Sequence, residues 1–226
     1  MIAEEVNDNH PLRLLDEKTG LPNAELSLIL ARSGVGKSAA LINFGIDTLL
    51  KGQQILHFSA GMDSEKVHDY YQEIYQSFVR FNPEDKDHPW DELNTHLMVI
   101  SYRDPDRMIA DIDDEIKTIH ESAKLSPALV IVDGLDFDNR TDDSLNVLKQ
   151  LAATHEVRVL AAMRVHRNQH GSIDLEGPRS VAMAHTDHIY FLEADKDRVH
   201  VEFQTQDGQV ELPIYFCSHE LIFRPL

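Results

Sequence analysis

The chain has 226 residues, with 39 acidic against 21 basic side chains and a formal net charge of −18. Its 42% apolar and 27% charged residues are the composition of a folded chain, not a disordered one, and a core of this size needs no disulfide or metal staple. The single cysteine, Cys217, excludes an intramolecular disulfide, and the acid excess counts against nucleic acid as the main partner, because phosphate backbones are held by clustered Lys and Arg.

The first residues, MIAEEVNDNH, lack the basic-then-apolar layout of a secretory signal. No stretch reaches the roughly 18 apolar residues that a membrane helix requires. With one cysteine and neither of these segments, the expected location is the cytoplasm, with no membrane insertion. In chain order, near-continuous apolar runs predict strands over 25–31, 54–60, 96–102, 128–133, 157–163 and 188–193. Amphipathic stretches predict helices over about 37–50, 64–81, 105–123 and 142–155. Strand and helix alternating in this way imply right-handed crossovers and a mostly parallel sheet. The tail differs: 198–204 and 210–216 alternate apolar and polar around Asp207-Gly208, which predicts antiparallel strands at the C-terminal end. We expect one domain over 1–226, with an N-terminal extension over 1–20 and a β-hairpin region over 194–226. Two polar loops stand out. One is 82–94, which Trp90 is expected to anchor; the other is 164–180, long enough to be functional.

The strongest local signal is ARSGVGKS, Ala31 to Ser38, between a predicted strand and a predicted helix. A phosphate-binding loop has Gly-x-x-x-x-Gly-Lys-Ser/Thr in that context. Its glycines let backbone N–H groups close around phosphate oxygens, and the helix start adds positive potential. The predicted nucleotide-binding residues are Ala31, Arg32, Ser33, Gly34, Val35, Gly36, Lys37, Ser38 and Ala39. Lys37 would reach the β- and γ-phosphates, and Ser38 would bind magnesium. Ala31 replaces the usual first glycine, which is tolerated if its φ stays negative. The second signal is LVIVD, Leu129 to Asp133: a buried strand ending in an acid. Ligands of parallel sheets sit at that edge, so Asp133 is the predicted second magnesium residue.

With these residues in hand, the sequence resembles the RecA-like family of P-loop ATPases, nearest the cores of ring-shaped replicative helicases and the KaiC-like proteins. The stretches 21–45, 55–67, 128–136, 159–167 and 177–192 carry the resemblance, which covers about residues 20 to 216. It implies a RecA-like α/β fold, ATP and Mg2+ as ligands, and catalytic roles at the P-loop. The departures are specific. The family usually has a glutamate after the second strand, where it polarises the attacking water; here Gly61 stands there, and Asp63 or Asp104 is the candidate replacement. Where the helicases place a γ-phosphate-sensing glutamine, this chain has Arg164, a fixed charged donor. The catalytic candidates are therefore Lys37, Asp63 and Arg164. The cationic finger expected within 204–208 is missing from QTQDG, although Arg179 or Arg198 of a neighbouring subunit could replace it.

Other signals are weaker. His166 with His170, and His185 with His188, lack the accompanying acids or cysteines of a metal site. Tyr70, Tyr71 and Tyr75 have the spacing of core residues as much as of a base-stacking set. Three functions stay open. The first is a slow or non-hydrolysing ATP-dependent switch acting on a protein partner or through self-association. The others are a ring-forming motor on nucleic acid and a small-molecule kinase.

Overall fold

The computed structural model describes Pro11 and residues 24–226, apart from 84–87, 138–139, 166–175 and 196–197. The expected N-terminal extension, except Pro11, lies outside the described residues, as do His166, Arg167 and His170.

The elements run β1 (Leu26–Ala31), α1 (Lys37–Leu50), β2 (Ile55–Ala60), α2 (Ser64–Phe81), α3 (Trp90–Asn94), β3 (Leu97–Tyr102), α4 (Pro105–Ala123) and β4 (Leu129–Asp136). They continue with α5 (Thr141–His155), β5 (Arg158–Arg164), α6 (Glu176–His185), β6 (His188–Asp195), β7 (Arg198–Thr205), β8 (Gly208–Cys217) and β9 (Ile222–Pro225). The strands form one sheet in the order β3-β2-β4-β5-β1-β6-β7-β8-β9. Strands β1 to β6 are parallel, and β7, β8 and β9 join antiparallel. This is the mostly parallel α/β fold with an antiparallel C-terminal end that the alternation implies.

Alternating side chains divide the sheet between two cores. Ile29, Ile131, Leu160 and Tyr190 face α1, α2 and α3. Leu28, Leu30, Phe58, Val130 and Val159 face α4, α5 and α6. Both faces of the parallel strands are therefore dry, which explains their unbroken apolar runs. Helix α1 is the most enclosed, with every residue from Ala39 to Leu50 buried. Its Asn43 holds the last strand in place. The Asn43 amide donates to Ala39 O at 2.7 Å and Leu221 O at 2.8 Å, and its Oδ1 accepts from Phe223 N at 3.3 Å.

Three elements were not expected from the pattern. Helix α3 follows Pro89 and has only five residues, too few for a periodic signal; Trp90 packs on Tyr71 and Tyr75, with ring centroids 6.4 and 5.6 Å apart. Helix α6 lies within the stretch read as the loop 164–180. It has Gly177 and Pro178 in its first turn, where proline is compatible with a helix. Strand β9 has four residues and ends in proline, as an edge strand can. The hairpin turn also shifts by one residue: Gln206 and Asp207 form it, and Gly208 begins β8.

Candidate functional site

The first crossover, from β1 to β2, passes over β4 and β5, which later insert between them. The carboxyl ends of β1, β4 and β5 thereby become neighbours, in register as Ala31 beside Arg164 and Arg164 beside Asp136. Sheets of this kind place ligands at that edge. The topology thus gathers the phosphate loop, the acid-ending strand and Arg164, which are distant in sequence.

Ala31 ends β1, buried and not among the residues with positive φ, as the substitution for glycine requires. The loop then turns through Gly34 at φ 78° and Gly36 at φ 108°. Gly36 is doubly constrained, because a Cβ there would lie 2.6 Å from Phe216 Cε1. As the N-cap of α1 it offers no side chain to the helix start, and the first turn has no acid. The leading N–H groups of a helix lack intrahelical partners, so this end is suited to an anion.

Lys37 folds back over the loop, its Nζ donating to Arg32 O at 2.9 Å. Burial lowers its pKa; Asp133 and Asp136 oppose that shift, and Arg164 adds to it. The Ser38 hydroxyl donates to the Asp133 carboxylate, which also accepts from Gly134 N at 2.8 Å. Asp133 is only 6% exposed, and burial raises its pKa against those bonds and the Lys37 charge. Two oxygen donors of the kind magnesium prefers therefore face each other beside the loop.

Gly134, at φ 94°, presses the end of β4 onto β2: a Cβ there would lie 2.2 Å from Ala60 O. The β4–β5 register shifts between Val132 and Leu135, and β4 continues to Asp136. Asp136 Oδ2 accepts from Arg164 Nη2 at 2.6 Å. The sequence reading missed Asp136. Its only signal is a second acid three residues after Asp133, and its placement depends on the irregularity at Gly134.

The remaining candidates have structural partners. Asp63 is the N-cap of α2, accepting from Lys66 N at 2.9 Å and pairing with Lys66 Nζ at 2.9 Å; the Lys66 N–H leads the causes that hold its carboxyl below the usual range. Asp104 caps α4 by accepting from Asp106 N at 3.0 Å. Gly61 has φ 90°, and a Cβ there would meet nothing within 4 Å. At the β7–β8 turn, the Gln206 amide donates to Met183 O and Thr186 O, both at 2.9 Å. Arg179 pairs with Glu202 at 2.7 Å and lies over the Phe191 ring, and Arg198 lies over Tyr215. Tyr71 and Tyr75 are core residues. His185 bonds Asp142 at 2.8 Å, joining α6 to α5. Among the described residues, no helix is long and apolar enough to cross a membrane.

No family model and no curated protein matches the chain. Among solved structures, it is similar to the ATPase domain of a RecA-like replicative helicase, with a TM-score of 0.61 and 18% identity over 91% of this chain and 86% of that one. In all, 464 solved chains match, so the likeness assigns a widely used architecture and not an activity. The fold is RecA-like.

Proposed function

We propose that this chain binds ATP with magnesium at Ala31 to Ala39, hydrolyses it slowly or not at all, and acts as a nucleotide-dependent switch on a protein partner or a second copy of itself. The observation that carries the reading is the convergence of Lys37, Ser38 and Asp133 on an uncapped helix start preceded by two glycines of positive φ. In this reading the loop N–H groups and Lys37 hold the phosphates, while Ser38 and Asp133 hold magnesium, Asp133 directly or through water. Magnesium, when bound, neutralises charge on the phosphate oxygens. Arg164 adds a second cation on the terminal-phosphate side.

The weak turnover follows from what stands around that cradle. Phosphoryl transfer depends on orienting a water and on stabilising charge as it develops. Gly61 has no side chain to orient water, and Asp63 and Asp104 are occupied as helix caps. The turn expected to bear a cation is Gln206-Asp207, with Gln206 bonded to the end of α6. The charge of −18 favours a protein partner over a nucleic-acid track.

Steady-state turnover of purified protein with Mg2+ and ATP, with and without DNA, tests this. The expected result is turnover below about 1 s⁻¹, unchanged by DNA. Faster turnover without a partner, or stimulation by DNA, contradicts the switch reading and favours the motor.

A further inference from the structure

The ion pair between Asp136 and Arg164 is poorly explained as a stabilising contact. Both side chains are 42% exposed, and an exposed pair of this kind contributes only about 0–1 kcal/mol. Its location is more informative. Arg164 stands at the end of β5 between the last residue of β1, which opens into the phosphate loop, and the last residue of β4. Its charge is felt at Lys37, as is that of Asp136. Two cations held in one another's field are unfavourable unless anions compensate, and a bound polyphosphate would supply such compensation.

The chain also fixes the direction of Arg164. The Arg164 carbonyl accepts from Phe137 N at 2.9 Å, locking the two strand ends together beside the pair. The guanidinium has five N–H groups, and Asp136 engages it through Nη2. The Nε–H is enclosed and has no partner among the described residues. A guanidinium tethered by one nitrogen keeps other donors for a second anion, and its planar fork suits a phosphate.

From this geometry we infer that Asp136 is a positioning residue: it holds Arg164 toward the terminal phosphate and so makes the site select nucleoside triphosphates over diphosphates. The inference rests on the proposed nucleotide site and adds a specificity element to it. A diphosphate would engage the loop and Lys37 but leave Arg164 unused. A triphosphate would engage all three. Asp136 acts only through Arg164 and need not touch the ligand.

The test is calorimetric titration of the full chain, in Mg2+, with ADP and with a non-hydrolysable ATP analogue, for the native protein, Arg164→Ala, Asp136→Asn and Asp136→Glu. The native protein should prefer the triphosphate, and both Arg164→Ala and Asp136→Asn should reduce that preference by about tenfold or more, as expected for losing a charge-assisted contact. ADP affinity should hold within about twofold, and Asp136→Glu should recover part of the preference. Three results overturn the inference while leaving the nucleotide site standing. They are no preference in the native protein, an unchanged ratio in Asp136→Asn, and tighter triphosphate binding by Asp136→Asn, which would make Asp136 a competitor for Arg164. If the native protein binds neither nucleotide, the site itself is wrong and the inference falls with it.

Discussion

Within the phosphate loop, the two glycines carry unequal constraints. Gly34 needs its positive φ but faces open space, whereas Gly36 needs both its φ and the absence of a Cβ against Phe216. An L-residue in the left-handed region costs roughly 1–2 kcal/mol. Gly34→Ala should lose about that much, and Gly36→Ala should lose more because the Phe216 ring must also move. Thermal melting of the two variants checks this, and equal melting temperatures would contradict it. Lys37, Ser38 and Asp133 were legible in the sequence because each sits at a fixed offset in a contiguous motif whose chemistry requires those residue types. Asp136 was not. Its role depends on the register shift after Asp133 and on a partner 28 residues away, neither of which leaves a local pattern.

Among the elements, the caps separate structural acids from candidate catalytic ones. Asp63 starts α2 by accepting from Lys66 N, and losing such a cap typically costs about 1 kcal/mol. Asp63→Ala should therefore lower the unfolding free energy by about that amount, whereas Asp63→Asn keeps an accepting oxygen and should stay near native. Chemical denaturation gives the first quantity, and nucleotide turnover gives the control. If Asp63→Asn folds normally but loses residual turnover, Asp63 acts on the reaction and not only on the helix. The long helices and the parallel strands were readable because their apolar periods are sustained. Helices α3 and α6 were not: the first is held by aromatic packing on Trp90, and the second opens with Gly177-Pro178 and has Ala182 as its fully enclosed residue.

For the molecule as a whole, the buried His57 sets a pH limit. It lies on β2 with Nδ1 3.1 Å from the Tyr71 hydroxyl, and burial depresses its pKa to about 3 from 6.5. The folded state therefore keeps His57 neutral where the unfolded chain takes up a proton. Stability from this residue is present above pH 6.5 and is lost as the pH falls from there toward 3, at up to about 1.4 kcal/mol per pH unit. His57→Gln should flatten the pH dependence of denaturation in that window; identical slopes for the two proteins would contradict the assignment. The same sheet that buries His57 brings the ends of β1, β4 and β5 together, so the nucleotide reading depends on the whole topology. Its most direct test is calorimetric titration of ATP with Mg2+ into the native protein and Lys37→Ala. The account predicts magnesium-dependent binding by the native chain, weakened about tenfold or more by the substitution, a loss of about 1.4 kcal/mol per decade. Equal affinity in the two proteins would contradict it.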